Sequence, residues 1–159
     1  MLNLHIVTVG SLKESYLREA AGEYMKRLSG FCRPEIIELK ETRVPENPSD
    51  KEVQAALQDE GERILSLLPA RAYKVAMCVE GKQMTSEELA AQIEEIMQVS
   101  GDLYLIIGSS HGLSDRVKRA CDLRLSVSRL TFPHQLMRVI LLEAVYRALN
   151  IQRGTRYHK

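Results

Sequence analysis

The sequence predicts a single α/β domain in which helices flank a mostly parallel sheet. Five segments rich in β-branched and apolar residues alternate with five segments whose apolar residues recur at helical spacing. The 159 residues suit one ordinary domain, and neither a repeat nor a flexible linker divides them, so we treat residues 1–159 as one unit. In this fold class, ligands bind beyond the carboxyl ends of the strands.

Two strand and helix units make up the first half of the chain. The predicted strands span residues 2–9 and 35–40, and the predicted helices span residues 12–28 and 49–68. Gly10 ends the first strand but stands alone, whereas a dinucleotide-binding fingerprint needs three glycines, so no Rossmann cofactor is expected there. Pro34 favours an edge position for the second strand. Ser49 and Glu52 have capping-box spacing, which predicts where the second helix begins.

The second half adds three strands and three helices. The predicted strands span residues 73–79, 103–107 and 123–128, and the predicted helices begin near residues 85, 114 and 133. The apolar density of the third strand favours a central position in the sheet. Glu80, Gly81 and Lys82 are predicted to turn the chain out of that strand. Thr85 and Glu88 repeat the capping-box spacing at the start of the third helix.

The last helix is apolar on nearly every face. Its apolar residues are Leu136, Met137, Val139, Ile140, Leu141, Leu142, Val145, Tyr146 and Leu149. One core-facing stripe does not require so many, so a second surface must cover the helix. That surface is either the rest of the same domain or a second copy of the chain, and the pattern alone leaves both interpretations open.

Charge is distributed unevenly along the chain. Residues 1–110 carry 12 Lys and Arg against 18 Asp and Glu, whereas residues 111–159 carry 10 against 3. A polyanion such as a nucleic acid could dock on the basic C-terminal part. The alternative is that these cations simply lie on solvated helix faces.

Cysteine content and hydropathy indicate a cytoplasmic protein. The chain has three cysteines, an odd number, with no C-x-x-C spacing, so neither a disulfide framework nor a zinc site is expected, and no metal is predicted elsewhere. The N-terminus lacks the features of an export signal, and no apolar run reaches the length of a membrane helix.

The glycine loop after the fourth strand can be interpreted in two functional ways. Gly108 to Gly112 fits the G-x-S-x-G pattern of hydrolases, with Ser110 as nucleophile. The partners in that interpretation are Asp115 or Asp122 and His134. Alternatively, the two glycines let the backbone approach a ligand, or they form a plain structural turn.

The positions of three strand ends favour the ligand interpretation. Met77 ends the third strand, Gly108 follows the fourth, and residues 127–132 follow the fifth. In a parallel sheet these three segments converge on one place. A bound cofactor needs such a convergence.

Several long motifs resemble one protein family over the whole chain. They are PENPSDKE at residues 45–52, IGSSHGL at 107–113, TFPHQLMRV at 131–139, EAVYRA at 143–148 and RGTRYHK at 153–159. The chain resembles the RlmH family of SPOUT-class methyltransferases. The resemblance implies methylation of N3 of a pseudouridine in 23S ribosomal RNA, with S-adenosyl-L-methionine as cofactor. It also implies a homodimer and a C-terminal trefoil knot, which periodicity cannot reveal.

The resemblance also implies the site residues. The cofactor-binding residues would be Met77, Gly108, Val127, Ser128, Arg129, Leu130, Thr131 and Phe132. The family usually has a second glycine where this chain has Ser109, which puts the backbone conformation at that position in question. A non-catalytic RNA-binding or ribosome-binding module of the same fold is the alternative function.

Three residues near the C-terminus are the catalytic candidates. His158 could accept the N3 proton, Arg147 could favour the deprotonated base or bind a phosphate, and Tyr157 could stack on or hydrogen-bond the nucleotide. The alternatives are a solvated tail and, for Arg147, an i, i+4 pair with Glu143. The tail is expected to add little to the core and, in a dimer, to reach the cofactor pocket of the other subunit. His134 is interpreted as structural.

Overall fold

The computed structural model describes all 159 residues and has one sheet of five parallel strands. The strands are β1 (Asn3–Val9), β2 (Arg33–Leu39), β3 (Tyr73–Gln83), β4 (Asp102–Ile107) and β5 (Leu123–Ser126). Their order in the sheet is β2-β1-β4-β3-β5, and every neighbouring pair is parallel. The predicted fold class is therefore confirmed, including the edge position of β2 and the interior position of β3.

Four helices connect these strands, and a fifth follows the last strand. They are α1 (Ser15–Leu28), α2 (Asp50–Leu67), α3 (Ser86–Val99), α4 (Asp115–Ala120) and α5 (His134–Gln152). Both predicted capping boxes are present, at Ser49 and Glu52 before α2 and at Thr85 and Glu88 before α3. Helix α1 begins at Ser15, later than predicted. No helix combines the length and the apolar character that crossing a bilayer requires.

The period-two alternation of the strands divides the core into two layers. Leu4 and Ile6 face a cluster that includes residues of α1, α3 and α5, whereas Val7 faces a smaller cluster with Ile64 of α2 and Val117 of α4. The sheet is thus covered by three helices on one face and by two on the other. This arrangement leaves the carboxyl ends of the strands free to build a site.

Helix α5 is covered mainly by its own chain. Leu142 and Val145 are fully buried, along with Leu141, Ala148 and Leu149, in the core layer shared with α1 and α3. Only Leu136, near the start of the helix, is an exposed large apolar residue of α5. The interpretation of a helix buried within one domain therefore explains most of the pattern. A charged substitution at Leu142 or Val145 would test folding and not dimer formation.

Strand β3 does not end where the sequence predicted. The turn predicted at Glu80, Gly81 and Lys82 is wrong, because β3 continues to Gln83. The pairing with β5 shifts register between Met77 and Lys82, so that four residues form a bulge. At Gly81 an added Cβ would lie 2.7 Å from the carbonyl carbon of Leu125. The bulge therefore fits against the backbone of β5 only with glycine at this position.

The C-terminal tail is docked and is not a solvated appendage. The rings of Tyr157 and Tyr146 pack edge to face with centroids 4.8 Å apart. Thr155 donates a hydrogen bond of 2.6 Å to the side chain of the buried Asn150. The expectation that the tail adds little to the packing is therefore wrong.

Candidate functional site

A cleft of about 730 Å³ lies where the carboxyl ends of β3, β4 and β5 converge. All the residues predicted to bind a cofactor line this cleft except Arg129, whose side chain is exposed. The lining members are Met77, Gly108, Val127, Ser128, Leu130, Thr131 and Phe132. The predicted convergence of strand ends is thus present, while the binding role of these residues stays a prediction.

The glycine loop forms one wall of the cleft. The amide of Gly112 donates a hydrogen bond of 2.9 Å to the carbonyl of Ser109, which closes a tight turn, and Gly112 has a φ of 87°. A Cβ at Gly108 would overlap with the carbonyl oxygen of Gly112. No side chain larger than hydrogen therefore fits at Gly108 while the turn stays closed.

Ser109 is compatible with the same turn. No residue other than glycine has a positive φ in this chain, so the serine is not forced into the left-handed region. Its buried hydroxyl accepts a hydrogen bond of 3.4 Å from the amide of His111. The departure from the family pattern therefore leaves the loop without backbone strain.

The turn after β5 forms the second wall. The hydroxyl of Ser126 donates to the carbonyl of Ser128 at 2.9 Å, and the amide of Leu130 donates to the hydroxyl of Ser128 at 3.0 Å. Leu130 and Val127 are exposed apolar side chains. Serine side chains thus hold the backbone of this turn in place beside the cleft.

The β3 bulge forms a third wall, which was not expected from the sequence. Cys78, Val79 and Glu80 line the cleft because the strand continues past Met77 instead of turning away. From the opposite side, Lys118 of α4 donates a hydrogen bond of 2.5 Å to Glu80. This hydrogen bond holds the pKa of Glu80 below its usual value. The only sequence signal for this wall is Gly81, which was assigned to a turn.

Helix α5 contributes the last part of the lining. Pro133, His134 and Met137 face the cleft at the beginning of the helix. His134, interpreted as structural from the sequence, is therefore a cleft residue. His111 also lines the cleft, on the exposed part of the glycine loop.

The three catalytic candidates form one cluster around Glu143. Arg147 donates to the Glu143 carboxylate from Nη2 at 2.6 Å and from Nε at 3.1 Å, and the hydroxyl of Tyr157 donates to it at 3.0 Å. His158 places Nδ1 3.3 Å from Nη1 of Arg147 and Nε2 2.8 Å from Glu87. The predicted alternative of an Arg147 and Glu143 pair is thus present within the cluster.

The surroundings of Tyr157 and Arg147 determine the protonation state of each side chain at neutral pH. Burial, together with the hydrogen bond to Glu143, raises the pKa of Tyr157 to about 12. The hydrogen bonds to Glu143 likewise raise the pKa of Arg147. At neutral pH Tyr157 is therefore a neutral hydrogen-bond donor and Arg147 is a cation.

The cluster and the cleft lie at opposite ends of α5. Met137 is the last cleft residue of the helix, and Arg147 follows ten positions later, which corresponds to about 15 Å along the helix axis. Within one chain, the structure therefore does not bring Arg147, Tyr157 and His158 to the cleft.

The hydrolase interpretation is not supported by the geometry. Ser110 is exposed and makes no hydrogen bond to a histidine, and its backbone lacks the strained conformation of a nucleophile elbow. Asp122 binds the amide of Lys74 at the opposite end of β5. The chain also has no group of three His, Cys, Asp or Glu side chains arranged to hold a metal ion.

Comparisons with known proteins match this chain over nearly its full length. A family model described as "Predicted SPOUT methyltransferase" covers residues 2–158. The chain is 45% identical over 160 residues to Ribosomal RNA large subunit methyltransferase H of Leuconostoc mesenteroides, with 99% of this chain and 100% of the relative covered. The proteins of the same name from Clostridioides difficile and Bacillus pumilus are each 46% identical over 159 residues, with the same coverage. These relatives favour neither a non-catalytic module nor a serine hydrolase.

Proposed function

This chain belongs to the SPOUT methyltransferase family and is a methyltransferase, and from that premise we propose that it methylates large-subunit ribosomal RNA with S-adenosyl-L-methionine. The observation that carries the proposal is the 45% identity with a ribosomal RNA methyltransferase over 99% of this chain. The proposed target atom is N3 of a pseudouridine in 23S ribosomal RNA, as the resemblance implies. Cytoplasmic localisation follows from that substrate.

The dimensions and lining of the cleft fit this cofactor. Its volume of about 730 Å³ lies within the usual range for sites that hold a ligand of this size. The backbone of the 127–132 turn and the closed Gly108 loop offer amides and carbonyls to a purine and a ribose, and Met77 offers an apolar surface. When bound, S-adenosyl-L-methionine supplies an electrophilic methyl group on a sulfonium. The chain's own contribution is to hold the methyl group in line with the attacking nitrogen.

The target nitrogen must also lose its proton. Tyr157 is unsuited to remove it, because a phenol with a pKa of about 12 remains protonated at neutral pH. His158 is the proposed acceptor, and Arg147 is the proposed cation that favours the deprotonated base or binds a phosphate. Tyr157 would then orient the nucleotide by stacking or by donating a hydrogen bond.

The separation of cleft and cluster supports a site built from two subunits. Because about 15 Å of α5 separates Met137 from Arg147, the cluster of one subunit would serve the cleft of its partner in a homodimer. Leu130, which lines the cleft, and Leu136, which follows the cleft residue His134 in α5, are exposed and available to the interface. A trefoil knot formed by the C-terminal part of the chain belongs to the same proposal.

Transfer of labelled methyl groups tests the proposed function. Ribosomes, separated subunits and free 23S RNA that lack this modification would each be incubated with the protein and labelled S-adenosyl-L-methionine. We expect label in the large-subunit RNA, and mass spectrometry of nucleosides should identify 3-methylpseudouridine. Absence of transfer to all three substrates, by a protein that binds the cofactor, would refute the proposed substrate.

A further inference from the structure

One ion pair lies inside the wall of the cleft and has no assigned role. Nζ of Lys118 and Oε1 of Glu80 are 2.5 Å apart, and both side chains line the cleft. The two residues come from different elements, the β3 bulge and α4. The side chain of Lys118 is only 17% exposed, whereas that of Glu80 is 57% exposed. The pair therefore presents its acidic member to the open part of the cleft and keeps its basic member deeper.

No other lining residue carries a fixed charge. The remaining lining consists of apolar side chains, glycines, hydroxyl groups, one thiol and the imidazoles of His111 and His134. The hydrogen bond from Lys118 lowers the pKa of Glu80, so its carboxylate is ionised at neutral pH. A ligand that carries both charges at one end would therefore find complementary charges in only one part of this cleft.

Both members of the pair are held in place by buried contacts. Gly81, adjacent to Glu80, lies against the backbone of β5, where a Cβ would be 2.7 Å from the carbonyl carbon of Leu125. Val117, adjacent to Lys118, is completely buried. Helix α4 also approaches α2 closely, because a Cβ at Gly61 would lie 2.8 Å from the hydroxyl of Ser114. The charges are thus positioned before a ligand arrives.

We infer that Glu80 and Lys118 bind the zwitterionic amino-acid end of the cofactor, the ammonium against Glu80 and the carboxylate against Lys118. The inference rests on the proposed function, because it assumes that the ligand is S-adenosyl-L-methionine. A charge-assisted hydrogen bond at each end of the pair is stronger than a neutral one. The adenosine part of the cofactor would then be held by the other two walls of the cleft.

Two ligands that differ only at the amino-acid end test this inference. S-adenosylhomocysteine carries a 3-amino-3-carboxypropyl group on its sulfur, and 5′-methylthioadenosine carries a methyl group in place of that whole group. Calorimetry on the purified protein would measure both affinities for the wild type and for Glu80→Gln and Lys118→Met. We expect each variant to bind S-adenosylhomocysteine about tenfold more weakly and 5′-methylthioadenosine with unchanged affinity. Lys82→Met and Arg116→Met are matched controls, since both side chains are exposed and lie outside the cleft.

The outcomes separate this inference from the proposed function. If the variants bind both ligands with wild-type affinity, the pair does not recognise the amino-acid end. The same conclusion follows if the substitutions lower the affinity for both ligands by the same factor. In either case the proposed function stands, since the wild type still binds S-adenosylhomocysteine. Failure of the wild type to bind S-adenosylhomocysteine would overturn the cofactor proposal itself.

Discussion

The guanidinium of Arg138, in α5, donates a hydrogen bond of 2.8 Å to the carboxylate of Glu38, in β2, across 100 residues of chain. The same side chain donates to the hydroxyl of Thr8 at 3.0 Å and to the carbonyl of Gly10 at 3.2 Å. Arg138 is buried, unlike most cations of the basic C-terminal part. It therefore fixes the beginning of α5, next to the cleft, to the ends of two strands.

Replacement of Arg138 by Met should destabilise the fold by about 3 kcal/mol, because the polar groups of Thr8 and Gly10 lose a buried partner. Glu38→Gln should cost less than about 1 kcal/mol, since the Glu38 carboxylate is half exposed and solvent screens it. Urea unfolding measures both values. Arg129→Met, at an exposed position outside the cleft, is the control, and a cost equal to that of Arg138→Met would contradict the proposed anchoring.

Gly108→Ala should open the glycine loop, because the new Cβ cannot coexist with the Gly112 carbonyl in the closed turn. We expect at least tenfold weaker binding of S-adenosylhomocysteine and a loss of about 2 kcal/mol in stability. Calorimetry and thermal unfolding provide the two readouts. Gly101→Ala is the matched control, because a Cβ there meets nothing within 4 Å. Cofactor affinity that survives at Gly108→Ala would remove this loop from the site.

Deletion of residues 155–159 should lower the stability by about 2 kcal/mol, since it removes the Tyr157 to Tyr146 packing and the hydrogen bond to Glu143. Methyl transfer should be lost at the same time. Removal of Lys159 alone, an exposed residue, should leave both properties unchanged. Differential scanning calorimetry and the methyl-transfer assay would be applied to both truncations. If the protein without residues 155–159 has the same melting temperature as the wild type, the docked tail contributes nothing to stability.

The raised pKa of Tyr157 predicts a specific dependence of stability on pH. The folded state favours the neutral phenol, so the stabilisation is fully present below the unfolded pKa of about 10 and is lost as the pH rises toward about 12. Tyr157→Phe should therefore lose less stability than the wild type over this interval. Glu143→Gln should move the Tyr157 pKa downward, which ¹³Cζ-tyrosine NMR can follow. Glu94→Gln, at an exposed carboxylate on α3, should not move it.

A site shared between subunits predicts complementation between two inactive proteins. One lacks residues 155–159 and keeps an intact cleft, and the other carries Gly108→Ala and keeps an intact tail. Random pairing should restore roughly a quarter of the wild-type activity, because half of the dimers are mixed and each has one complete site. Coexpression with two different tags allows the mixed dimers to be isolated. If the mixed dimers have no activity, the cluster of one subunit does not complete the cleft of its partner.

Features that depend on neighbours in the chain could be predicted from the sequence. The two capping boxes at Ser49 and Thr85 involve residues three positions apart, and both begin the helices where expected. The apolar and β-branched runs of β1 and β4 likewise follow from residue order alone, and their succession with helical segments predicted the mostly parallel sheet. The convergence of Met77, Gly108 and the 127–132 segment followed from the positions where three strands end and from the parallel topology.

Features that depend on distant contacts could not be predicted in the same way. Gly81 looks like a turn residue, but its backbone lies against Leu125 in a strand that comes about 40 residues later. The residues Cys78, Val79 and Glu80 were missed as cleft residues for this reason. The tail appeared solvated because no local pattern indicates that Tyr157 meets Tyr146 and Glu143 on the preceding helix.

The position of β1 inside the sheet affects how the chain can fold during its own synthesis. One edge of β1 pairs with β4, and the side chains of Asn3 and Asp102 that bond across this pair are 99 residues apart. The bond from Arg138 to Thr8 spans 130 residues. Since translation delivers residues in chain order, the edge of β1 that faces β4 stays unpaired until residues 102–107 have left the exit tunnel. A growing chain therefore carries an unpaired edge of β1 until β4 has been made, and its cleft is completed only when β5 and the beginning of α5 have followed.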